Sequence, residues 1–100
     1  MSAYRLSNKA LEDLLVIISY TLDRWGIEQA QKYRDAFYEG CELIGKTPGI
    51  GRTCDPLGRG LRRLEQGRHI VFYRLVGDKV VISRILHQRV LPLREYFIDG

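Results

Sequence analysis

The chain has 100 residues, of which 45% are hydrophobic and 28% are charged, and its formal net charge is +4. These values are typical of a small globular protein with one modest core, so we expect a single domain spanning residues 1–100. No apolar run approaches the roughly 20 residues of a membrane helix, and the first residues lack an apolar signal core, which favours a cytoplasmic protein.

The first half of the sequence predicts a short strand followed by two helices. Residues 4–6 form the strand, and Ser7 stands where an N-cap hydroxyl would accept a hydrogen bond from the first helical turn. Apolar residues recur at helical spacing in the first helix: Leu11, Leu14, Leu15, Ile18, Leu22 and Trp25. The second helix has its own stripe: Ala30, Tyr33, Phe37, Cys41 and Ile44. Because Gly26 leaves room for only a short connection, the helices should form an antiparallel hairpin with Trp25 and Tyr33 in its core.

The second half predicts a loop and then a sheet. Residues 46–60 contain four glycines and two prolines and are therefore expected to be irregular. Three segments rich in strand-forming residues follow, at 61–65, 68–75 and 79–86, and a helical turn is expected over 92–97. The predicted order is β-α-α-β-β-β. This defines an α+β fold in which a mainly antiparallel sheet packs in two layers on a helical hairpin.

A helical hairpin covers only one face of such a sheet, yet the last two strands carry apolar residues at both odd and even positions. The second face is therefore expected to be curled closed, filled by the C-terminal tail, or offered to a partner. Regular alternation along the last strand would place Val80, Ile82, Arg84 and Leu86 on one face and His87 on the other.

Charge is unevenly distributed along the chain. Residues 1–45 contain five basic and seven acidic side chains, a balance of −2, whereas residues 46–100 contain eleven basic and five acidic, a balance of +6. A basic half favours an acidic protein segment, nucleic acid or a phosphate-rich surface as partner. Neither helix has the basic pattern of a DNA-recognition helix, so sequence-specific nucleic-acid binding is not expected.

The residues that bear chemistry are few. Cys41 and Cys54 have no metal-ligand spacing and are expected to be reduced, and two histidines do not make a metal site, so neither a metal nor another cofactor is expected. A metal-free ribonuclease would need a base, an acid and cationic support for the reacting phosphate. The side chains available for that chemistry are Arg62, Arg74, Arg84, His87 and Tyr96.

Several segments together resemble the ParE toxins of bacterial type II toxin–antitoxin systems, within the RelE/ParE superfamily. These segments are "YRLSNKALEDLLVIISYTLDRWGIEQAQKY" (4–33), "TPGIGR" (47–52), "LRRLEQGRHIVFYRL" (61–75) and "ISRILHQR" (82–89). No single motif is decisive, but their order and spacing together are fairly specific, and they cover nearly the whole chain.

The resemblance implies a fold in which the N-terminal strand lies beside the last strand. It implies a toxin without enzymatic activity of its own that poisons DNA gyrase and so blocks DNA replication. It also implies a cognate ParD-like antitoxin, whose C-terminal segment wraps the toxin and neutralises it. The alternative is the RelE branch, whose members are ribosome-dependent endoribonucleases that cut messenger RNA.

The candidate target-binding residues are basic side chains near the end of the last strand. Arg84, His87 and Arg89 follow one another there, and Arg62 and Arg94 are weaker candidates for the same surface. Arg84 has an alternative structural role, in which it pairs with an acid on the first helix such as Glu12 or Asp13. In that case His87 and Arg89 are the better candidates.

Overall fold

Two helices and five strands form the architecture of residues 3–98, which the computed structural model describes. The helices are α1 (Asn8–Trp25) and α2 (Ile27–Lys46). The strands are β1 (Tyr4–Leu6), β2 (Arg52–Thr53), β3 (Arg62–Gln66), β4 (His69–Val76) and β5 (Lys79–His87). Two short 3₁₀ turns complete the fold, at Pro48–Ile50 and Arg94–Phe97.

The five strands form one mixed sheet in the order β1-β5-β4-β3-β2. β1 runs parallel to β5, with Tyr4 opposite Val80, and the other three pairs are antiparallel. The predicted α+β class, the element order and the position of the N-terminal strand beside the last strand are therefore confirmed. The sequence did not predict β2, which lies inside the glycine-rich loop and extends the sheet by two residues.

Local chemistry sets the ends of α1 where the sequence places them. The Ser7 hydroxyl accepts a hydrogen bond from the Ala10 N–H (3.0 Å) and donates one to the Ser83 carbonyl (2.8 Å), so the N-cap also joins α1 to β5. Gly26 ends the helix with a φ of 92°, a conformation that favours glycine. The chain enters α2 at the next residue, which gives the predicted hairpin.

The main core lies between the helices and the sheet. Its fully buried members come from both helices and from β4 and β5: Ala10, Leu14, Phe37, Cys41, Ile44, Val71, Tyr73, Val80, Ile82 and Ile85. Tyr33 packs against this cluster, as predicted for the hairpin core. The stripe on α2 therefore faces the sheet as its spacing indicates.

A second, smaller core covers the opposite face of the sheet. Its buried members are Leu61, Ile70, Phe72, Leu86 and Phe97, with Cys54, Leu57 and Tyr96 packed against them. Phe97 belongs to the C-terminal 3₁₀ turn, and its ring centroid lies 4.8 Å from that of Phe72. Of the three expectations for this face, filling by the C-terminal tail is confirmed, and the loop before β3 contributes as well.

An irregularity in β5 reverses the alternation of its side chains. Phe72 pairs with Arg84 and Tyr73 pairs with Ile82, so Ser83 is an extra residue in the ladder, a β-bulge. Before the bulge Ile82 faces the helices, and after it Ile85 does. The predicted shared face of Val80, Ile82, Arg84 and Leu86 is therefore wrong, because regular alternation does not hold across a bulge.

Within residues 3–98, neither helix combines the length and the apolar character that crossing a membrane requires.

Candidate functional site

Arg84 is held by a carboxylate of the first helix. Its Nε donates to Asp13 Oδ2 (2.8 Å) and its Nη2 donates to Asp13 Oδ1 (2.9 Å), while Asp13 Oδ2 also accepts the Ile85 N–H (3.0 Å). Only 18% of the Arg84 side chain and 15% of the Asp13 side chain are exposed. The hydrogen bonds to Asp13 raise the pKa of Arg84 above its ordinary value. The structural alternative is confirmed, with Asp13 rather than Glu12 as the partner.

Arg62 fastens the loop before β2 to the sheet. Its Nη1 donates to the carbonyls of Gly51 (2.6 Å) and Gly49 (3.4 Å). The Tyr73 hydroxyl acts on the same loop, because it accepts the Gly51 N–H (2.7 Å) and donates to the Pro48 carbonyl (2.7 Å). The guanidinium of Arg62 is thus engaged in holding its own chain.

His87 lies on the helix side of β5, directly across from His69 of β4. The two ring centroids are 5.3 Å apart, and the Tyr33 ring lies 5.4 Å from that of His69. His87 Nδ1 accepts the Arg89 N–H (3.1 Å). Burial, and then the proximity of His87, lower the pKa of His69, while burial and the nearby Cys41 raise the pKa of Tyr33 to about 12.

The lowered pKa of His69 predicts that acid destabilises the fold. The unfolded chain has the ordinary histidine pKa of about 6.5, so below that value it binds more protons than the folded chain. This contribution to stability is complete above the ordinary value and is lost as the pH falls through it. Urea unfolding between about pH 8 and pH 5 measures the effect. His69→Asn should flatten the acid side of the profile, and an unchanged slope would contradict the assignment.

The structure does not gather the five predicted residues into one cluster. Arg62 lies on β3, which β4 separates from β5, and both Arg62 and Arg84 are engaged within the chain. The residues of the predicted set that are exposed are Arg89, just after β5, and Arg94, the first residue of the C-terminal 3₁₀ turn.

An exposed apolar stripe on α1 is the feature that the sequence analysis missed. Its members are Leu11 (45% exposed), Leu15 (58%), Leu22 (48%) and Trp25 (68%), and their spacing places them on one side of the helix. The prediction that Trp25 belongs to the hairpin core is wrong. Leu14, which is 2% exposed, points into the core beside the stripe. The apolar arc of α1 is wider than the sheet can cover, and that width was the available signal. We call these four residues the α1 stripe.

Cofactor chemistry has little to work with in the part of the chain that the structure describes. Within residues 3–98, no three side chains among His, Cys, Asp and Glu come together as a metal site requires. Cys41 is buried, and burial raises the pKa of its thiol to about 12, while Cys54 is partly buried. An ion-paired arginine, a histidine pair and an exposed apolar helix face describe a protein suited to binding other proteins.

Comparison with known proteins agrees with this description. Residues 4–92 match the family model described as ParE toxin of type II toxin–antitoxin system, parDE. Toxin ParE1 of Caulobacter vibrioides is 46% identical over 88 residues, which cover 88% of this chain and 91% of that protein. Toxin ParE1 of Mycobacterium tuberculosis is 39% identical over 90 residues, with coverage of 89% and 92%.

More distant likenesses extend the same result. Toxin ParE of Escherichia coli is 31% identical over 91 residues, covering 90% of this chain and 88% of that protein. A solved structure titled "Chromosomal ParDE TA system from P. aeruginosa" shares the fold with a TM-score of 0.72 at 24% identity, covering 87% of this chain and 96% of that one. The chain belongs to the ParE family of toxins of type II toxin–antitoxin systems.

Proposed function

We propose that this toxin inhibits DNA gyrase by binding to it, without catalysing a reaction of its own, and so blocks DNA replication. The observation that carries the proposal is the family match over residues 4–92, together with 46% identity to a curated ParE toxin. A gyrase inhibitor acts in the cytoplasm, where gyrase and the chromosome are. Arg89, Arg94 and His87, at the exit of β5, remain the candidate contacts to the target.

The state of two arginines favours binding over the RelE-like ribonuclease. Catalytic support of a reacting phosphate requires guanidinium groups free to meet it. Arg84 already makes two hydrogen bonds to Asp13, and Arg62 donates to backbone carbonyls of the loop before β2. Using either residue in catalysis would first require breaking contacts that hold the fold.

A supercoiling assay with purified gyrase tests the proposal. The folded toxin should inhibit supercoiling and cause cleaved DNA to accumulate. A translation extract with a defined messenger is the parallel assay, and the messenger should stay intact. Full supercoiling activity at a large molar excess of toxin would refute gyrase as the target, and messenger cleavage would establish the ribonuclease alternative.

We further propose that a cognate ParD-like antitoxin neutralises the toxin by wrapping it with its C-terminal segment and covering the α1 stripe. A row of leucine and tryptophan side chains along one helix suits an amphipathic partner helix, which buries its own apolar face against it. The family description names a toxin–antitoxin system, which supplies the class of partner.

Replacing Leu15 and Leu22 by serine should weaken antitoxin binding more than tenfold, because central apolar contacts carry most of the affinity of an interface. The fold should be unaffected, since both side chains are about half exposed. Val16→Ser is the matched control, because Val16 is 68% exposed and points away from the stripe. Calorimetry with the purified antitoxin provides the affinities, and equal affinities for the double variant and the control would refute this surface.

A further inference from the structure

Three arginines lie on the face of the sheet that turns away from the helices. Arg63 pairs with Phe72 across β3 and β4, Arg84 pairs with Phe72 across β4 and β5, and Arg74 lies two residues beyond Phe72 on β4. The ring of Phe72 belongs to the second core on this face, so its ladder partners share the face. Of the three, Arg84 has a buried carboxylate from Asp13.

Arg74 has no such carboxylate within residues 3–98. Its Nε is buried without a hydrogen-bond partner, and its Nη2 donates to the Phe97 carbonyl at 3.4 Å, a long hydrogen bond. The loop before β3 passes close above, since a Cβ on Gly58 would lie 3.0 Å from Nη2. A partly buried guanidinium that leaves a donor unpaired is costly, and an acceptor that reaches it is correspondingly stabilised.

Arg63 is in a similar state. Its Nε is also buried and unpaired among the described residues. Its guanidinium lies 5.7 Å from the centroid of the Phe72 ring, and its Nη2 is 3.3 Å from Glu65 Oε2. That same oxygen lies 2.6 Å from Arg52, and half of the Glu65 side chain is exposed. Glu65 is therefore a shared, solvated partner that does not satisfy Arg63.

The two guanidinium groups are near each other. Diagonal neighbours on adjacent strands are about 7–8 Å apart at the Cα atoms, well within the reach of arginine side chains. Both also lie close enough to the Cys54 thiol to lower its pKa, against the larger effect of burial, which raises it. The surrounding side chains Leu61 and Phe72 are fully buried, so the local dielectric is low and a charge brought here interacts strongly.

We propose that Arg63 and Arg74 form a binding site for an acidic side chain of a partner protein. Together they present two orphaned Nε donors and their neighbouring Nη atoms, the fork that receives a carboxylate in two parallel hydrogen bonds. Arg84 shows this arrangement on the same face, filled from within the chain by Asp13. Resting on the proposed function, the partner is the antitoxin, which would insert an aspartate or glutamate here.

The surroundings favour a protein carboxylate over nucleic acid. Single-stranded nucleic acid is held by exposed aromatic rings on which bases stack, beside a groove of several cations. Phe72, the ring beneath Arg63, is 0% exposed and covered by Phe97. The methylene groups of a glutamate would instead lie against the apolar wall while its carboxylate meets the two guanidinium groups.

The arginine Nε–Hε signals in an NMR spectrum of the full chain report on this site directly. Titration with an acetylated hexaglutamate peptide should move the signals of Arg63 and Arg74, and should leave that of Arg84 in place because Asp13 already occupies it. This experiment needs neither antitoxin nor gyrase, so it stands or falls apart from the proposed function. Signals that stay unmoved at saturating peptide, or that respond to short duplex DNA and not to peptide, would overturn the inference.

Charge-matched variants complete the test. Arg74→Gln and Arg63→Gln should each weaken binding of the peptide, and of the antitoxin, about tenfold, the value of one charge-assisted hydrogen bond. Arg59→Gln, on the exposed part of the neighbouring loop, removes the same charge and should change affinity less than twofold. Arg74→Lys keeps the charge without the fork and should recover only part of the loss. Equal losses in Arg74→Gln and Arg59→Gln would mean a diffuse field rather than a site.

Discussion

Asp13→Ala is expected to lower the free energy of unfolding by about 3 kcal/mol, because it leaves a buried guanidinium and a buried amide without their acceptor. The Asp13 carboxylate serves the Arg84 side chain and the Ile85 N–H at once, at a part of β5 beyond the last residue that β1 covers. Losing it uncouples α1 from the sheet. Urea unfolding at neutral pH measures the change.

Two neighbouring variants make this result specific. Asp13→Asn keeps an oxygen that can accept the Ile85 N–H but loses the charge that pairs with Arg84, so its loss should be smaller. Glu12→Ala removes an exposed acid one residue away and should cost less than about 0.5 kcal/mol. Equal stabilities of Asp13→Ala and Glu12→Ala would contradict a structural role for the ion pair.

Phe97→Ala is expected to cost about 3 kcal/mol, as large-to-small changes at buried aromatic positions do. Phe97 is 3% exposed and packs on Phe72, so its removal takes away the cover of the second face of the sheet. The dye anilinonaphthalene sulfonate binds exposed apolar surface, and its fluorescence should rise in the variant alongside the lower urea midpoint.

Ile98→Ala provides the comparison. Ile98 is adjacent in sequence and 74% exposed, so its truncation should leave both stability and dye binding close to the parent values. If Phe97→Ala were as stable as Ile98→Ala, the C-terminal turn would not be part of the core, and the second face would be open in solution.

The sequence predicted the elements well because each is signalled locally. Ser7 and Gly26 have capping chemistry that acts within a few residues, and the stripe of α2 has the period of a helix with one buried side. Parallel pairing of β1 with β5 came from the family resemblance rather than from local pattern. Strand β2 was missed because a two-residue strand carries no periodicity.

The candidate site was harder to predict because it depends on where side chains point. Arg84 was correctly given a possible partner on α1, but its side of the sheet was assigned from an alternation that Ser83 interrupts. The apolar stripe of α1 was assigned to the core, since periodicity shows that a helix is amphipathic but not how wide an arc the sheet covers. Trp25, 68% exposed, is the clearest example.

The extra residue in β5 also constrains how this chain can change over time. The Ser83 hydroxyl is buried without a hydrogen-bond partner, so the bulge depends on the presence of a residue rather than on that side chain. Substitution there is a local event, whereas deletion would rotate everything downstream by half a turn of the strand. Arg84 and Leu86 would be driven into the helical layer, and Ile85 and His87 out of it. Chain length between Ile82 and Arg84 is therefore inherited information in its own right, and indels in this strand should be far rarer than replacements.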